Sequence, residues 1–207
     1  RESIRLARHA GDDMIVAQAA IALGIIEEDR GRFAEARALY EEALRIFRSR
    51  HNEIWPPYVV NLLGLAAYEE GDIARATAHF EEALAVFRAS GYTYGTGWAL
   101  TNLAKVARRR GDHARAASLF AEGLALLWEH GDQLGTAGCL RGLARVAALT
   151  HRYDQAARLF GAEEALREAI GAPVAHHRAR HDQAIAAVRD GLGATAFAAA
   201  WAAGRAM

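Results

Sequence analysis

A motif that recurs every 40 residues, with no insertion or deletion, limits what this chain can fold into more than any other feature. Its first copy reads Leu23-Gly24, Gly31-Arg32-Phe33, Ala36, Tyr40 and Ala43-Leu44. The second reads Leu63-Gly64, Gly71-Asp72-Ile73, Ala76, Phe80 and Ala83-Leu84; the third reads Leu103-Ala104, Gly111-Asp112-His113, Ala116, Phe120 and Gly123-Leu124. A more divergent fourth copy keeps Leu143-Ala144, His151-Arg152-Tyr153, Ala156 and Phe160. Constant spacing over four copies means one structural unit stacked on the next, with the core built between neighbours.

Each unit reads as two antiparallel helices. In the first, Asp12-Asp13 caps a helix running to about Arg30, with Ile15, Ala19, Ala22, Leu23 and Ile26 at helical spacing. Gly31 ends it, and a second helix from Phe33 to about Arg48 carries the stripe Phe33, Ala36, Leu39-Tyr40, Ala43-Leu44 and Phe47. Pro56-Pro57 suits the first turn of the next helix. His151 replaces the turn glycine in the fourth unit, so the same turn is expected there with more strain. Small residues (Gly24, Gly64, Ala104, Ala144) oppose the aromatics Tyr40, Phe80, Phe120 and Phe160, as close helix packing requires. The expected architecture is all-α: a right-handed α-solenoid of units 12–51, 52–91, 92–131 and 132–172. Residues 1–11 fit the end of a preceding helix, which reads the chain as a piece of a longer protein. Residues 173–207 are expected to form two capping helices, from about Val174 to Leu192 and around Ala194–Ala203.

Composition narrows the function. Lys plus Arg equals Asp plus Glu, 25 each, so no net charge draws the whole molecule to nucleic acid or an anionic membrane. No apolar run approaches the roughly 18 residues of a spanning helix, and no signal peptide is visible. The lone Cys139 fits a reducing compartment. A cytoplasmic location is the expectation.

The Leu-Gly pair, the alanine twelve residues on, the aromatic four later and the alanine three later resemble the tetratricopeptide repeat over roughly residues 12–170. The unit is longer than the usual of about 34 residues and lacks the helix-ending proline. In this it is similar to repeats of large bacterial signalling regulators, in which a P-loop ATPase module precedes the repeats and a LuxR-type helix-turn-helix or another output domain can be attached. The stretches 157–167 and 197–207 also resemble the ends of such proteins. The resemblance implies a regulatory sensor or scaffold segment of a multidomain ATPase-type transcriptional regulator. The expected partner is a protein or peptide segment, or other domains of its own parent chain, and no cofactor is expected.

If first helices line a concave face, their outward positions are Gln18, Ile21, Ile25, Glu28 and Asp29; Tyr58, Asn61, Leu65, Tyr68 and Glu69; Trp98, Thr101, Lys105, Arg108 and Arg109; and Gly138, Arg141, Arg145 and Leu149. The groove would run from acidic and apolar to basic, with aromatics between, as peptide recognition uses. A carboxylate or phosphate is expected near Lys105, Arg141 and Arg145, with Asn102 in register to help. The bland alternative is a solvated, empty groove. A homo-oligomeric scaffold joined through solenoid ends, or a small-molecule pocket between helices, stays open.

Other features read as structural. Arg108-Arg109-Arg110 with Arg115 suits a solvated helix end better than a phosphate backbone. His177 and His181 have metal-binding spacing but no third ligand, which favours a solvent-facing helix turn. Gly95-Thr96-Gly97 and Gly135-Thr136-Ala137-Gly138 follow no strand and lack Gly-Lys-Ser/Thr, so they are not phosphate loops. Cys139 reads as a small packed hydrophobe, with no base placed to activate it. The fragment is expected not to be an enzyme.

Overall fold

The computed structural model describes residues 12–172 and 178–207. Among these there are ten α-helices and no strand: α1 (Asp13–Asp29), α2 (Phe33–Ser49), α3 (Trp55–Glu70), α4 (Ile73–Ala89), α5 (Thr93–Arg109), α6 (His113–Glu129), α7 (Gln133–Leu149), α8 (Tyr153–Ala169), α9 (Arg178–Leu192) and α10 (Ala194–Arg205). The chain divides into two compact units, Arg1–Gly95 and Thr96–Met207.

Local chemistry starts and stops each helix where the repeat demands. Asp12 Oδ1 accepts from the backbone N–H of Met14 and Ile15, and Asn52 Oδ1 accepts from Ile54 and Trp55. Asp72, Asp112 and Asp132 each accept from the N–H three residues on, filling orphan donors of the first turn. The first helix of each pair stops at Gly71, Gly111 or an equivalent, with φ near +81° to +89° at those two. There the N–H of the following residue returns to a carbonyl five residues back, as Asp112 N–H does to Ala107 O at 3.0 Å.

Two histidines occupy such glycine positions. His51 (φ 51°) aligns with Gly91, Gly131 and Gly171, and His151 (φ 57°) with Gly31, Gly71 and Gly111. The hydrogen bonds are unchanged: Arg152 N–H reaches Ala147 O at 2.8 Å. The turn survives at the steric cost of a Cβ in the left-handed region.

In the first unit, α1 pairs with α2 and α3 with α4, while α2 packs on α3. A Cβ at Gly24 would run into the Tyr40 ring, and one at Gly64 into Phe80. These glycines let the helices approach until the fully buried aromatics fill the gap. The stripe on α1 differs from the one expected. Val16, Ala17, Ala20 and Ile21 are buried, whereas Ile15 and Ile26 stay 50% and 46% exposed. The buried face is set by the small residues that meet α2, and this leaves both isoleucines outside it.

In the second unit, α6 packs on α7, α7 on α8, and both α9 and α10 on α8. The α10 end crosses very tightly: a Cβ at Gly204 would strike the Arg158 carbonyl, and one at Gly161 the Trp201 backbone. Phe160, Val188, Phe197 and Ala200 form the core beneath this pair, with Tyr153, Ile185 and Trp201 at its edge. Glu164 accepts from Trp201 Nε1 at 3.0 Å and pairs with Arg205, which also bonds Glu168. Helices α9 and α10 lie in the stretch expected to form two capping helices, and the expected start of the first near Val174 lies outside the described residues.

Candidate functional site

The 40-residue frame sorts the expected groove residues into those at the surface and those turned inward. Positions 18, 58, 98 and 138 reach the surface: Gln18 and Tyr58 are exposed, Trp98 and Gly138 partly so. Ile25, Leu65, Lys105 and Arg145, at the next equivalent position, are all exposed or half-buried. Glu28 and Arg108 are likewise half-buried, while Tyr68 beside them in the frame is buried.

The position of Ile21, Asn61, Thr101 and Arg141 is not outward. Ile21, Asn61 and Thr101 are buried, Thr101 to 2% exposure. The reason is that this position faces the paired second helix. A Cβ at Gly123 would meet Thr101 Oγ1, and Thr101 donates instead to its own Gly97 carbonyl at 2.9 Å. Asn102 is buried too, and accepts from Lys105 Nζ at 2.9 Å. Asn61, Thr101 and Asn102 are thus part of the packing, not of a solvated groove wall.

The first unit gathers an aromatic and acidic surface. Fifteen Asp and Glu stand against eleven Lys and Arg in Arg1–Gly95, and ten against fourteen in Thr96–Met207. Five of the six tyrosines lie in the first unit. Trp55 stacks on Phe47 (centroids 5.6 Å, 7°) and meets Tyr58 edge-on (6.0 Å, 76°). Tyr92 meets Phe87 at 5.6 Å and Tyr94 at 6.1 Å, both edge-on. The Phe87–Tyr92 contact belongs to the turn at Gly91, where Tyr92 N–H bonds Phe87 O. The Tyr40 hydroxyl donates to Glu28 Oε2 at 2.8 Å and holds that carboxylate in place. Burial, then the Glu28 charge and hydrogen bond, push the Tyr40 phenol up. The Tyr58 phenol is also raised, by burial first, then by Tyr94, Glu28 and Tyr92 around it. Both phenols therefore remain neutral donors. Trp55, Tyr92 and Tyr94 are missed by a first-helix periodicity, because they sit at helix starts and in a turn.

The second unit buries a charge cluster that the repeat pattern could have revealed. Glu163 stands where the other units have Ala43, Ala83 and Gly123, the position that faces 21, 61, 101 and 141. It is fully buried. Its Oε1 lies 3.5 Å from Arg141 Nη1 and 3.6 Å from Arg167 Nη1, and its Oε2 lies 3.6 Å from His181 Nε2. Arg167 also donates to the Ala172 carbonyl at 3.0 Å. A charge at a small buried position requires partners, and helices α7, α8 and α9 each supply one. Burial raises the Glu163 carboxyl, against the lowering pull of Arg141 and Arg167. Burial, then Arg141, Arg145 and Arg167, push His181 down to about 4, so its imidazole is neutral at ordinary pH. Glu163, Arg167 and His181 line a cleft of about 350 Å³ with Glu164, Glu168, Gly171 and Ala172. Arg141 therefore already has its carboxylate, which weakens its part in an anion clamp with Lys105 and Arg145.

The remaining candidates take these places in the fold. His181 is buried edge-on against Phe160 at 5.4 Å, not solvent-facing, and His177 lies outside the described residues. No group of three or more potential ligands for a metal exists among the described residues. The Gly95 and Gly135 segments lie within the first turns of α5 and α7. Arg108 and Arg109 occupy the last turn of α5, where cations complement the helix dipole. Cys139 is buried, with its Sγ 3.1 Å from Thr101 Oγ1; burial raises the thiol and keeps it protonated. No described helix is long and apolar enough to cross a membrane.

Repeated antiparallel helix pairs, small residues set against aromatics and a helical cap define the helical-repeat class of interaction proteins. Within that class, family models described as tetratricopeptide repeat match residues 16–53 and 58–127, so the chain carries tetratricopeptide repeats. The crystal structure of BtubC (BKLC) from P. vanneervenii is similar at TM-score 0.69 and 20% identity, over 98% of this chain and 82% of that one. The nearly identical TPR-like repeats of a putative kinesin light chain from Podosopora anserina are similar at TM-score 0.62 and 17% identity, over 91% of this chain and 93% of that one. Both likenesses carry the fold, a TPR-like solenoid. No curated protein sequence matches the chain.

Proposed function

We propose that this chain is a non-catalytic interaction and signal-relay module that binds a protein or peptide segment through the surface positions of its first helices. The observation that carries this reading is their register. Gln18, Tyr58 and Trp98 recur at one surface position, and Ile25, Leu65, Lys105 and Arg145 at another, on helices set by tight packing. Within each unit, helix positions that present aromatic or charged side chains at fixed spacing suit a peptide segment. The finer reading places the chain in a larger bacterial transcriptional regulator with an ATPase domain, where the repeats sense a partner and relay its presence. Support for that context is the long repeat and the resemblance of the end segments.

A panel of acidic, neutral and basic peptides, titrated against the whole chain, tests the binding reading. Saturable binding that is lost on Trp98→Ala or Tyr58→Ala is expected, and no binding by any peptide overturns it. Sequencing the parent gene tests the context: a Gly-Lys-Ser/Thr loop upstream is expected, and its absence removes the regulator.

One observation favours a second reading, a homotypic scaffold. Ile15 and Ile26 leave apolar surface on α1. Sedimentation of the whole chain over a concentration series would show dimers that Ile15→Ser with Ile26→Ser abolishes.

A further inference from the structure

The first unit brings two perpendicular ring pairs and a fixed carboxylate to one place. Trp55 and Tyr58 form one corner, and Tyr92 and Tyr94 the other. The Tyr58 phenol lies near enough to Tyr92, Tyr94 and Glu28 to feel all three. Each edge-on contact sets one ring's rim on one face of its partner and leaves the opposite face to other contacts, and Tyr58 and Tyr92 are 38% and 49% exposed. A ring face is the negative part of the aromatic quadrupole. A ring beside a carboxylate attracts an organic cation twice, through its face and through the charge. The unit's four-charge acidic excess adds to this attraction.

We propose that this surface binds a lysine or arginine side chain of a basic peptide, against the faces of Tyr58 and Tyr92 and with Glu28 as counter-charge. This rests on the peptide-binding reading and names its partner. The half-exposed rings form an open corner, which favours a cation delivered on a peptide that also covers neighbouring helix surface. A small free ammonium ion would gain too little contact there to bind firmly. Tyr40 keeps Glu28 oriented through its 2.8 Å hydrogen bond, so the charge is in place before the ligand arrives.

The test uses the whole chain and a short arginine-rich peptide, its citrulline counterpart, an acidic peptide and tetramethylammonium. Tryptophan and tyrosine fluorescence reports the titrations. The arginine peptide is expected to bind about tenfold tighter than the citrulline peptide. Tyr58→Leu with Tyr92→Leu, which leaves every charge in place, is expected to weaken it roughly five- to tenfold. Glu28→Gln, which keeps an acceptor for Tyr40, is expected to weaken it to a similar degree and carries the test if the double variant fails to fold. Equal affinity of the double-leucine chain overturns the proposal in favour of diffuse charge attraction. Preference for the acidic peptide also overturns it while leaving peptide binding intact. Tetramethylammonium saturating at the same concentration as the peptide would identify a small cation as the ligand instead. Failure of every peptide on the wild-type chain removes the broader binding reading as well.

Discussion

Glu163 shows how one side chain can depart from a repeat and still be read. Its equivalent Gly123 faces Thr101 across a helix pair; Glu163 faces Arg141. Removing only the carboxylate leaves the desolvation cost of Arg141 and Arg167 uncompensated. Glu163→Ala should therefore cost about 3 kcal/mol in urea unfolding. Pairing it with Arg141→Ala removes a cation that the single change leaves unpaired, so the double variant should lose clearly less than the sum of the singles. Additive losses would sever the link between the two residues. His181 makes a second prediction. Its folded pKa is lowered to about 4 from the ordinary 6.5, because burial and then Arg141, Arg145 and Arg167 oppose its charge, with Asp182 the main group pulling the other way. A depressed pKa means stability that is complete above about 6.5 and lost as pH falls toward 4. Glu163, raised by burial, works in the opposite sense through the carboxylate range. His181→Gln should therefore flatten the loss between pH 6.5 and 4; an unchanged slope would show that His181 is not its source. The helix pairs were legible from spacing alone, because a packing repeat writes itself as periodic small and aromatic residues. Inward-facing Thr101, Asn61 and Arg141 were not legible as such, since polar residues at a helix position look the same whether they meet solvent or a paired helix.

Turns and caps carry the next tests. His51 sits at φ 51° in a position that holds glycine at Gly91, Gly131 and Gly171. Its hydrogen bonds already match theirs, as Asn52 N–H bonds Phe47 O at 3.0 Å and Tyr92 N–H bonds Phe87 O at 2.9 Å. His51→Gly relieves the Cβ without altering the turn and should raise stability by about 0.5–1 kcal/mol. A higher urea midpoint at unchanged slope would be the signature. The α10 cap makes the contrary prediction. At Gly204 even one methyl group meets the Arg158 carbonyl, which belongs to helix backbone and cannot turn aside. Gly204→Ala should therefore lift α10 from α8, costing roughly 1–3 kcal/mol and exposing Trp201, whose emission would shift to the red. The sequence predicts two helices after residue 172 but gives no sign of this contact, because a glycine inside an alanine-rich helix reads only as weak helix.

The repeats also decide how far a local loss travels. In a stack of helix pairs, each pair gains stability from itself and its neighbours, so a defect need not unfold the whole chain. Glu163→Ala disconnects α7, α8 and α9 from a shared charge, all inside Thr96–Met207. The core of Arg1–Gly95, built on Tyr40, Phe47 and Phe80, contains none of these groups. Amide hydrogen exchange on the variant should therefore speed up along α7–α10 and stay near wild-type along α1–α3. Acceleration of equal size in both units would mean that the chain unfolds as one cooperative body, and the nearest-neighbour account would fail. The same experiment bears on binding. If the acidic, aromatic first unit keeps its protection while the second loses it, a basic peptide should still bind the variant with unchanged affinity. A parallel loss of affinity would mean that the partner surface depends on the second unit.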